Sequence, residues 1–471
     1  MTFLGELTSQ ANSILRDCAV TLVFILTLTS ASASHADTIF DVNTMADQVD
    51  QDVSDGLCQT SDGACSLRAA IMQANHTAGL ETTHVVLPAG EYVLTLTATE
   101  SDGEDNGDLN LTTPVVAGQI ISIEGDSAES TVIDANGIDR VLFIRPDRTA
   151  VISRVTIRHG LVNSAGGGIR LDGTLTLIDS VVTQNSGSAG GGGIWINING
   201  RLVVLGSKFT SNNAQNGGGG LYVNGRATIR ESSVTGNSSS FGAGVVVAGP
   251  GISVLNIYNS TISGNAASTI GGGVYNNSAT GYFANTTISG NFANGNGGGI
   301  WNAGQTWLYN TSVIANDASH DRNPPGGVGG GTFNLNGPAS RLVAINSLIA
   351  DNTTLDAPIA DDCNGTLELY GWNLLANYTG CSFSGNGTAA RGLVSPATIG
   401  PLADNGGPTW THALLAGSEA IDTTTAQGCI DSTGALLATD QRGSVRIAGA
   451  KCDVGAYEFG AEDIVFRNGF D

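Results

Sequence analysis

Side chains able to do acid–base chemistry are scarce in the middle of this 471-residue chain. Between Ser180 and Asn316 the one carboxylate is Glu231, and that stretch has no histidine. Inverting hydrolysis needs an acid and a base about 6.5–9.5 Å apart, and a calcium-assisted lyase needs several carboxylates plus a basic residue to take the proton. A lone acid serves neither. Two sparse sets remain: Asp172 and Asp179 with Arg170 and His159, and Asp317, His320 and Asp321 on a stretched loop. Near the C-terminus Asp440, Arg442, Arg446, Asp453 and Glu458 gather a third charged group, which reads better as buried Arg–carboxylate pairing than as a catalytic cluster.

Metal and thiol chemistry are as thinly supplied. Asp47, Asp50, Asp52 and Asp55 precede Gly56, and Asp102, Glu104, Asp105 and Asp108 surround Gly103 and Gly107. Carboxylates alternating with glycines could wrap a calcium ion, but the spacing departs from the ligand order of an EF-hand loop. Solvated loops are expected there, and no cofactor is assigned. Beyond residue 36 the cysteines fall in sequence-close pairs, Cys58/Cys65, Cys363/Cys381 and Cys429/Cys452. Six cysteines allow fifteen connectivities; three local disulfides are the expectation for an exported chain, and no CxxC or Cys/His cluster supports a metal site.

The richest set is aromatic. Arg170, Trp195, Tyr222, Val246, Tyr275, Trp301 and Phe333 each follow an equivalent residue of a repeated phrase, which in most copies is aliphatic. If Ile169, Ile194, Leu221, Val274 and Ile300 point inward, alternation turns the next residue outward. Trp195, Tyr222, Tyr275, Trp301 and Phe333 are therefore candidate binding residues, a stripe of exposed rings that could stack on sugars. The competing use is a ladder of rings supporting one another, at about 0.5–1.5 kcal/mol per pair.

The repeats must position these residues. One half-phrase is a glycine run and an aliphatic, as in Gly191-Gly192-Gly193-Ile194; the other is an apolar residue three before an asparagine, as in Phe209/Asn212. From Asn185 through Asn212, Asn237, Asn265, Asn291 and Asn316 to Asn352 the steps are 27, 25, 28, 26, 25 and 36 residues. A period in this range signals a solenoid. Thr174-Leu175-Thr176-Leu177 alternates as a strand with one buried face. Short strands at this period match one coil of a parallel β-helix, each strand pairing with its copy in the next coil. Asparagine and glycine tolerate positive φ, so the asparagine column is expected to turn the chain while its amides bond along the stack.

Composition narrows the classes. The 66 glycines fit tight corners, and 41% hydrophobic residues suffice for a continuous core. With a net charge of −23 and Lys208 and Lys451 as its lysines, the chain is a poor partner for nucleic acid. The apolar run Ala19 to Leu28, followed by Ala31-Ser32-Ala33, reads as a secretory signal peptide too short to span a membrane, and no later stretch approaches a transmembrane segment. After Cys65, the residues Leu67, Ala70, Ile71 and Ala74 share one face of a helix with Ser66 as N-cap, a suitable plug for the first coil.

Several of these residues also carry resemblances. Cys65-Ser66-Leu67-Arg68-Ala69-Ala70-Ile71 is similar to the Cys-Ser-Leu-Arg-Glu-Ala-Ile motif that names a family of bacterial exported β-helix proteins, with Ala69 in place of Glu. Asp404-Asn405-Gly406-Gly407-Pro408-Thr409, Thr411-His412-Ala413-Leu414-Leu415, Asp440-Gln441-Arg442-Gly443 and Cys452-Asp453-Val454-Gly455-Ala456-Tyr457-Glu458 resemble the choice-of-anchor Q domain. The glycine and Phe-x-x-Asn phrases resemble the repeats of polymorphic outer-membrane proteins, adhesins of bacterial surfaces. The tail Phe466 to Asp471 is similar to short sorting-type endings of exported proteins.

These likenesses imply an all-β chain, a right-handed parallel β-helix with a helix-containing N-terminal cap, of the pectin lyase-like kind. Its expected divisions are 1–36 signal peptide, 37–112 cap, 113–395 coils, 396–459 anchor-type segment and 460–471 tail. The charged group of that segment is expected to close the last coil. The expected function is a secreted or cell-surface, adhesin-like contact with a glycan or host surface without enzymatic chemistry, the alternative being a lyase or glycoside hydrolase acting on an acidic polysaccharide.

Overall fold

The alternation of Thr174–Ile178 is the local rule of every coil. Leu175 and Leu177 are fully buried, while Thr174, Thr176 and Ile178 are half-buried on the outside. This computed structural model describes residues 37–98, 103–249, 251–318, 327–354, 359–385, 390–392, 395, 398–424 and 428–461. One coil takes four strands in turn, such as Ile169–Leu171, Thr174–Ile178, Val181–Thr183 and Ser186–Gly187. Each pairs in parallel with its copy one coil on: Ile194–Ile196, Arg201–Leu205, Lys208–Thr210 and Asn213–Ala214. We call the four surfaces the ring face, the long face, the third face and the short face. The first two belong to one 22-stranded sheet, the third face is a 12-stranded sheet and the short face a 9-stranded one.

Inward residues of all the coils form one hydrophobic core running from Phe40 and Val42 to Leu369 and Leu375. Each buried aliphatic contributes about 1.5–3 kcal/mol. The four-residue strands Thr38–Asp41 and Gly90–Val93, with Thr83–Leu87 and Leu109–Leu111, already belong to these sheets, so the coils begin before the repeated phrases do. The helix Leu67–His76 covers the first coils as expected, and Ser66 Oγ caps it by accepting the Ala69 N–H at 3.1 Å. Among the described residues no helix is long and apolar enough to cross a membrane.

The asparagine column is a ladder, with one difference from expectation. Asn185, Asn212, Asn237, Asn265, Asn291 and Asn316 are buried, and each Nδ2 donates to Oδ1 of the next at 2.8–3.0 Å. The ladder ends where Asn352 donates to the Asp362 carboxylate at 2.9 Å. These asparagines do not themselves take the positive φ. The residue before each does: Gln184, Ser211, Gly236, Gly264, Gly290, Ala315 and Asp351. Turning one residue early leaves the asparagine amide facing inward, where its backbone N–H and side chain are all bonded. Asparagines with positive φ form a second column, Asn259, Asn285, Asn310 and Asn346, between the long and third faces.

The three expected disulfides are formed, Cys58–Cys65 beside the N-terminal helix, Cys363–Cys381 at the last coils and Cys429–Cys452 in the C-terminal segment. That segment corrects one expectation. Among the described residues it does not close the last coil, whose core is met by Cys381 and Phe383. It folds back along the flank instead. The antiparallel strands Ile399–Ala403 and Thr411–Leu414 begin it. Leu414, Ala420 and Val454 then pack on Ile314, Leu348 and Leu374. Second-column asparagines anchor it: Asn285 donates to Thr439 O, Asn310 to Ile430 O and Asn346 to Gly428 O, at 2.8–3.0 Å. Its charged group is buried as expected, with Arg442 on Asp440 at 2.8 Å and over the Tyr457 ring at 3.7 Å.

Candidate functional site: the ring column

Strands of three or four residues build the repeated part of the ring face, and their burial fixes which way the rings point. In Ile194–Ile196 and Leu221–Val223 the outer residues are fully buried and the central Trp195 and Tyr222 half-buried. Pairing aligns Arg170 with Trp195, Trp195 with Tyr222, Tyr222 with Val246, Val246 with Tyr275, Tyr275 with Trp301 and Trp301 with Phe333. The five predicted binding residues thus share one column and point outward. They are half-buried, less exposed than expected, and among Tyr275, Trp301 and Phe333 neighbouring rings cover the ring faces. Tyr275 lies 4.6 Å from Trp301 at an interplanar angle of 14°, and Trp301 lies 6.3 Å from Phe333 at 16°. Rings stacked along the solenoid axis present edges outward. Burial accordingly pushes the Tyr222 and Tyr275 hydroxyls above the ordinary phenol range.

Two residues complete the column that sequence reasoning passed over. At the Val246 step no ring is available, and Val246 is fully buried. Phe241, from the short-face strand Ser238–Phe241, fills the place with its ring 5.0 Å from Tyr275. Upstream, Phe143 continues the register below Arg170 and carries the guanidiniums of Arg145 and Arg170 at 4.0 and 4.7 Å. Arg170 also lies 5.5 Å over Trp195. The glycine phrase shows its purpose here: at Gly190, with φ +136, a Cβ would come within 2.8 Å of the Tyr222 ring. Only a residue free of Cβ strain lets the ring settle against that corner.

The first sparse catalytic set, Asp172 and Asp179 with Arg170 and His159, is not brought together as one site. Asp172 pairs with Arg170 at 3.2 Å on its own strand end. Asp179 sits at the far end of Thr174–Ile178, roughly 20 Å along the coil at strand rise. His159 is bonded at 2.9 Å to Asp134, which also holds Arg158 at 2.8 Å. Desolvation opposes that carboxylate's charge, but these partners with the Asn136 N–H keep its pKa below the usual value. Asp317 is buried in a short-face strand. His320 and Asp321 lie outside the described residues, as does Asp102.

The acidic stretches are committed to protein partners. Asp47 pairs with buried Arg68 at 2.6 Å and accepts the Thr95 and Leu96 N–H groups. Asp50, Asp52 and Asp55 accept backbone N–H groups two residues on. Asp108 pairs with Arg140 at 2.5 Å. Glu104 meets His76 at 3.3 Å, and Asp105 accepts from Asn106. Among the described residues no group of three or more His, Cys, Asp or Glu side chains is placed to hold a metal ion.

A family model described as a right handed beta helix region matches residues 140–318, the stretch that carries most of the ring column. The chain is a right-handed parallel β-helix. No curated protein and no solved structure matches it. The match speaks to the coil fold; what the outward rings do lies with the side chains themselves.

A second aromatic set was missed altogether. Tyr282, Trp307 and Tyr309 point outward from the long face, with Tyr282 and Trp307 rings 4.8 Å apart at 18°. Their signal lay in Tyr282-Phe283-Ala284 and Trp307-Leu308-Tyr309, where rings occupy outward positions around one inward residue.

Proposed function

We propose that this chain is an exported surface or extracellular β-helix protein that holds a glycan or cell-surface ligand along its ring face, as an adhesin does, with no covalent chemistry at that face. The observation that carries the reading is selective cover. Tyr282, Trp307 and Tyr309 of the long face, at 6–8% exposure, belong to a cluster on which Ile430 of the C-terminal segment packs, whereas ring-face side chains of the same types remain half-buried. A preformed line of ring edges, interleaved with tyrosine hydroxyls and indole N–H groups, loses little conformational entropy when a long ligand lies along it. Repeated weak contacts then combine as avidity. Three disulfides and the apolar run from Ala19 to Leu28 support export to an oxidising compartment.

The test is a screen of the purified protein against a polysaccharide panel, scoring binding together with reducing-end or unsaturated-product release. Binding without product release is expected. Trp195→Ala/Trp301→Ala should reduce avidity well beyond either single change. Unaltered binding in the double variant alongside lower thermal stability would overturn the reading and leave the column a self-supporting ladder. Release of sugar ends would overturn its non-enzymatic part.

A further inference from the structure

The C-terminal segment delivers one histidine onto the third face. His412, in the strand Thr411–Leu414, places Nε2 2.8 Å from Ser289 Oγ, on the coil strand Thr287–Ser289, and Nδ1 2.8 Å from the carbonyl oxygen of Gly400. A carbonyl only accepts, so Nδ1 carries the proton. Nε2 is then the bare nitrogen, and the Ser289 hydroxyl donates to it. This is the tautomer and direction that a general base needs in order to activate a serine. Burial pushes the imidazole below its ordinary pKa, so it is neutral at neutral pH.

Both side chains line a groove of about 470 Å³ between the C-terminal hairpin and the coils. Ile314, Ile399 and Leu402 give it apolar walls, and Asp351 is the ionisable group beside the histidine. Ser289 and His412 are both buried in the wall of that groove, at 2% and 6% exposure. Neighbouring hydroxyls of the same docking surface bond with the Gln441 side-chain amide, at Thr287 and Thr261, or with the backbone, at Thr261 to Trp410 O and Ala456 N to Ser312; at Ser289 the partner is an imidazole.

We propose that Ser289 and His412 form a nucleophile–base pair that accepts a small acyl group from an ester bound in this groove. Ser289 Oγ bonds to the ester carbonyl carbon as its proton passes to His412 Nε2. Collapse of the adduct breaks the bond to the alkoxy oxygen, which leaves as the alcohol with that proton. Water then attacks the acyl-serine, His412 taking its proton and returning it to Ser289, and the carboxylic acid leaves. The amide after the serine, Gly290 N–H, is already bonded to Ile314 O at 3.3 Å. The oxyanion therefore meets no preformed donor from that position, and the expected chemistry is slow and favours activated esters. This site is remote from the ring column and stands or falls without it.

The probe is a fluorophosphonate, applied to the full folded chain and to the same chain in urea, with peptide mapping of the adduct. Labelling confined to Ser289, lost in urea, and accompanied by p-nitrophenyl acetate hydrolysis that Ser289→Ala removes, is the expected result. His412→Gln should slow labelling at least tenfold while circular dichroism and melting show an intact fold. If that variant unfolds, the wild-type comparison of folded and urea-treated chain decides. An unlabelled Ser289 in the native protein, or labelling as fast in His412→Gln as in wild type, overturns the proposal.

Discussion

The ring face and the long face build the same object and treat it differently. Tyr275 and Trp301 stack at 4.6 Å and 14°, Tyr282 and Trp307 at 4.8 Å and 18°. Stacking is therefore a consequence of coil spacing and says nothing by itself about ligands. What separates the two is cover. On the long face Ile430 of the C-terminal segment packs on the ring cluster, and Arg341 lies 5.7 Å over Trp307 while paired with Glu368 at 2.5 Å. Burial there pushes the Tyr282 hydroxyl up to about 12, and raises Tyr309 as well. Among the described residues, no part of the C-terminal segment packs on the ring-face rings in the way that Ile430 packs on the long face. This contrast between a half-buried column and its covered twin is what supports the proposed binding surface.

The largest way to break this comparison is Trp307→Ala. It removes a ring that is 8% exposed, stacked on Tyr282 within the cluster that Ile430 packs against, so a loss of about 3–5 kcal/mol is expected in urea denaturation. A loss no greater than that of Trp301→Ala would show that the two columns are energetically alike and that cover means nothing. Next in size is the Cys429–Cys452 disulfide, which closes a loop within the cover. Replacing both cysteines by serine should cost about 2–4 kcal/mol. The cover should become protease-sensitive while ring-face binding stays unchanged. Loss of ring-face binding in that variant would join the two regions that the comparison separates. Smaller again is Trp301→Ala, which deletes two ring contacts at about 0.5–1.5 kcal/mol each, read as a fall in Tm of a few degrees with the cover intact.

How much of this was legible in the sequence depended on whether the physics was periodic. The ladder asparagines, the inward aliphatics and the ring column repeat every coil, and a fixed register turns spacing into position. Phe241 could not be found that way: it reaches the column from another face, at the coil where Val246 breaks the pattern. The Ser289–His412 contact spans 123 residues and no repeat links them. The resemblance at Thr411-His412-Ala413-Leu414 marked the segment without saying where it docks. Its place on the flank was hidden because the asparagines that anchor it, Asn285, Asn310 and Asn346, look like ordinary corner residues until their side-chain amides are seen bonding outward.

The gentlest probe of cover is pH. The buried charged group of the C-terminal segment holds three carboxylates, Asp440, Asp453 and Glu458, against two guanidiniums, Arg442 and Arg446. One carboxylate is in excess, and burial pushes Glu458 up to about 7 and raises Asp453 too, while desolvation holds Arg446 below the usual guanidinium range. Glu458 accepts the Ala448 and Asp453 N–H groups, but its contact with Arg446 is 4.0 Å, too long to repay full ionisation. A carboxyl whose folded pKa lies above its unfolded value favours the fold while it keeps its proton. The stabilisation is complete below the ordinary glutamate pKa and is lost as pH rises through about 7. The cover should therefore loosen between about pH 5 and pH 8, seen as faster proteolysis after Ile430 and as a change in the fluorescence of Trp307. The ring face, which has no such group among its stacked residues, should hold its binding over the same range. Glu458→Gln should flatten the pH dependence of the cover alone. A cover that tightens as pH rises would show Glu458 to be ionised and well paired, and the difference between the two faces would then owe nothing to proton binding.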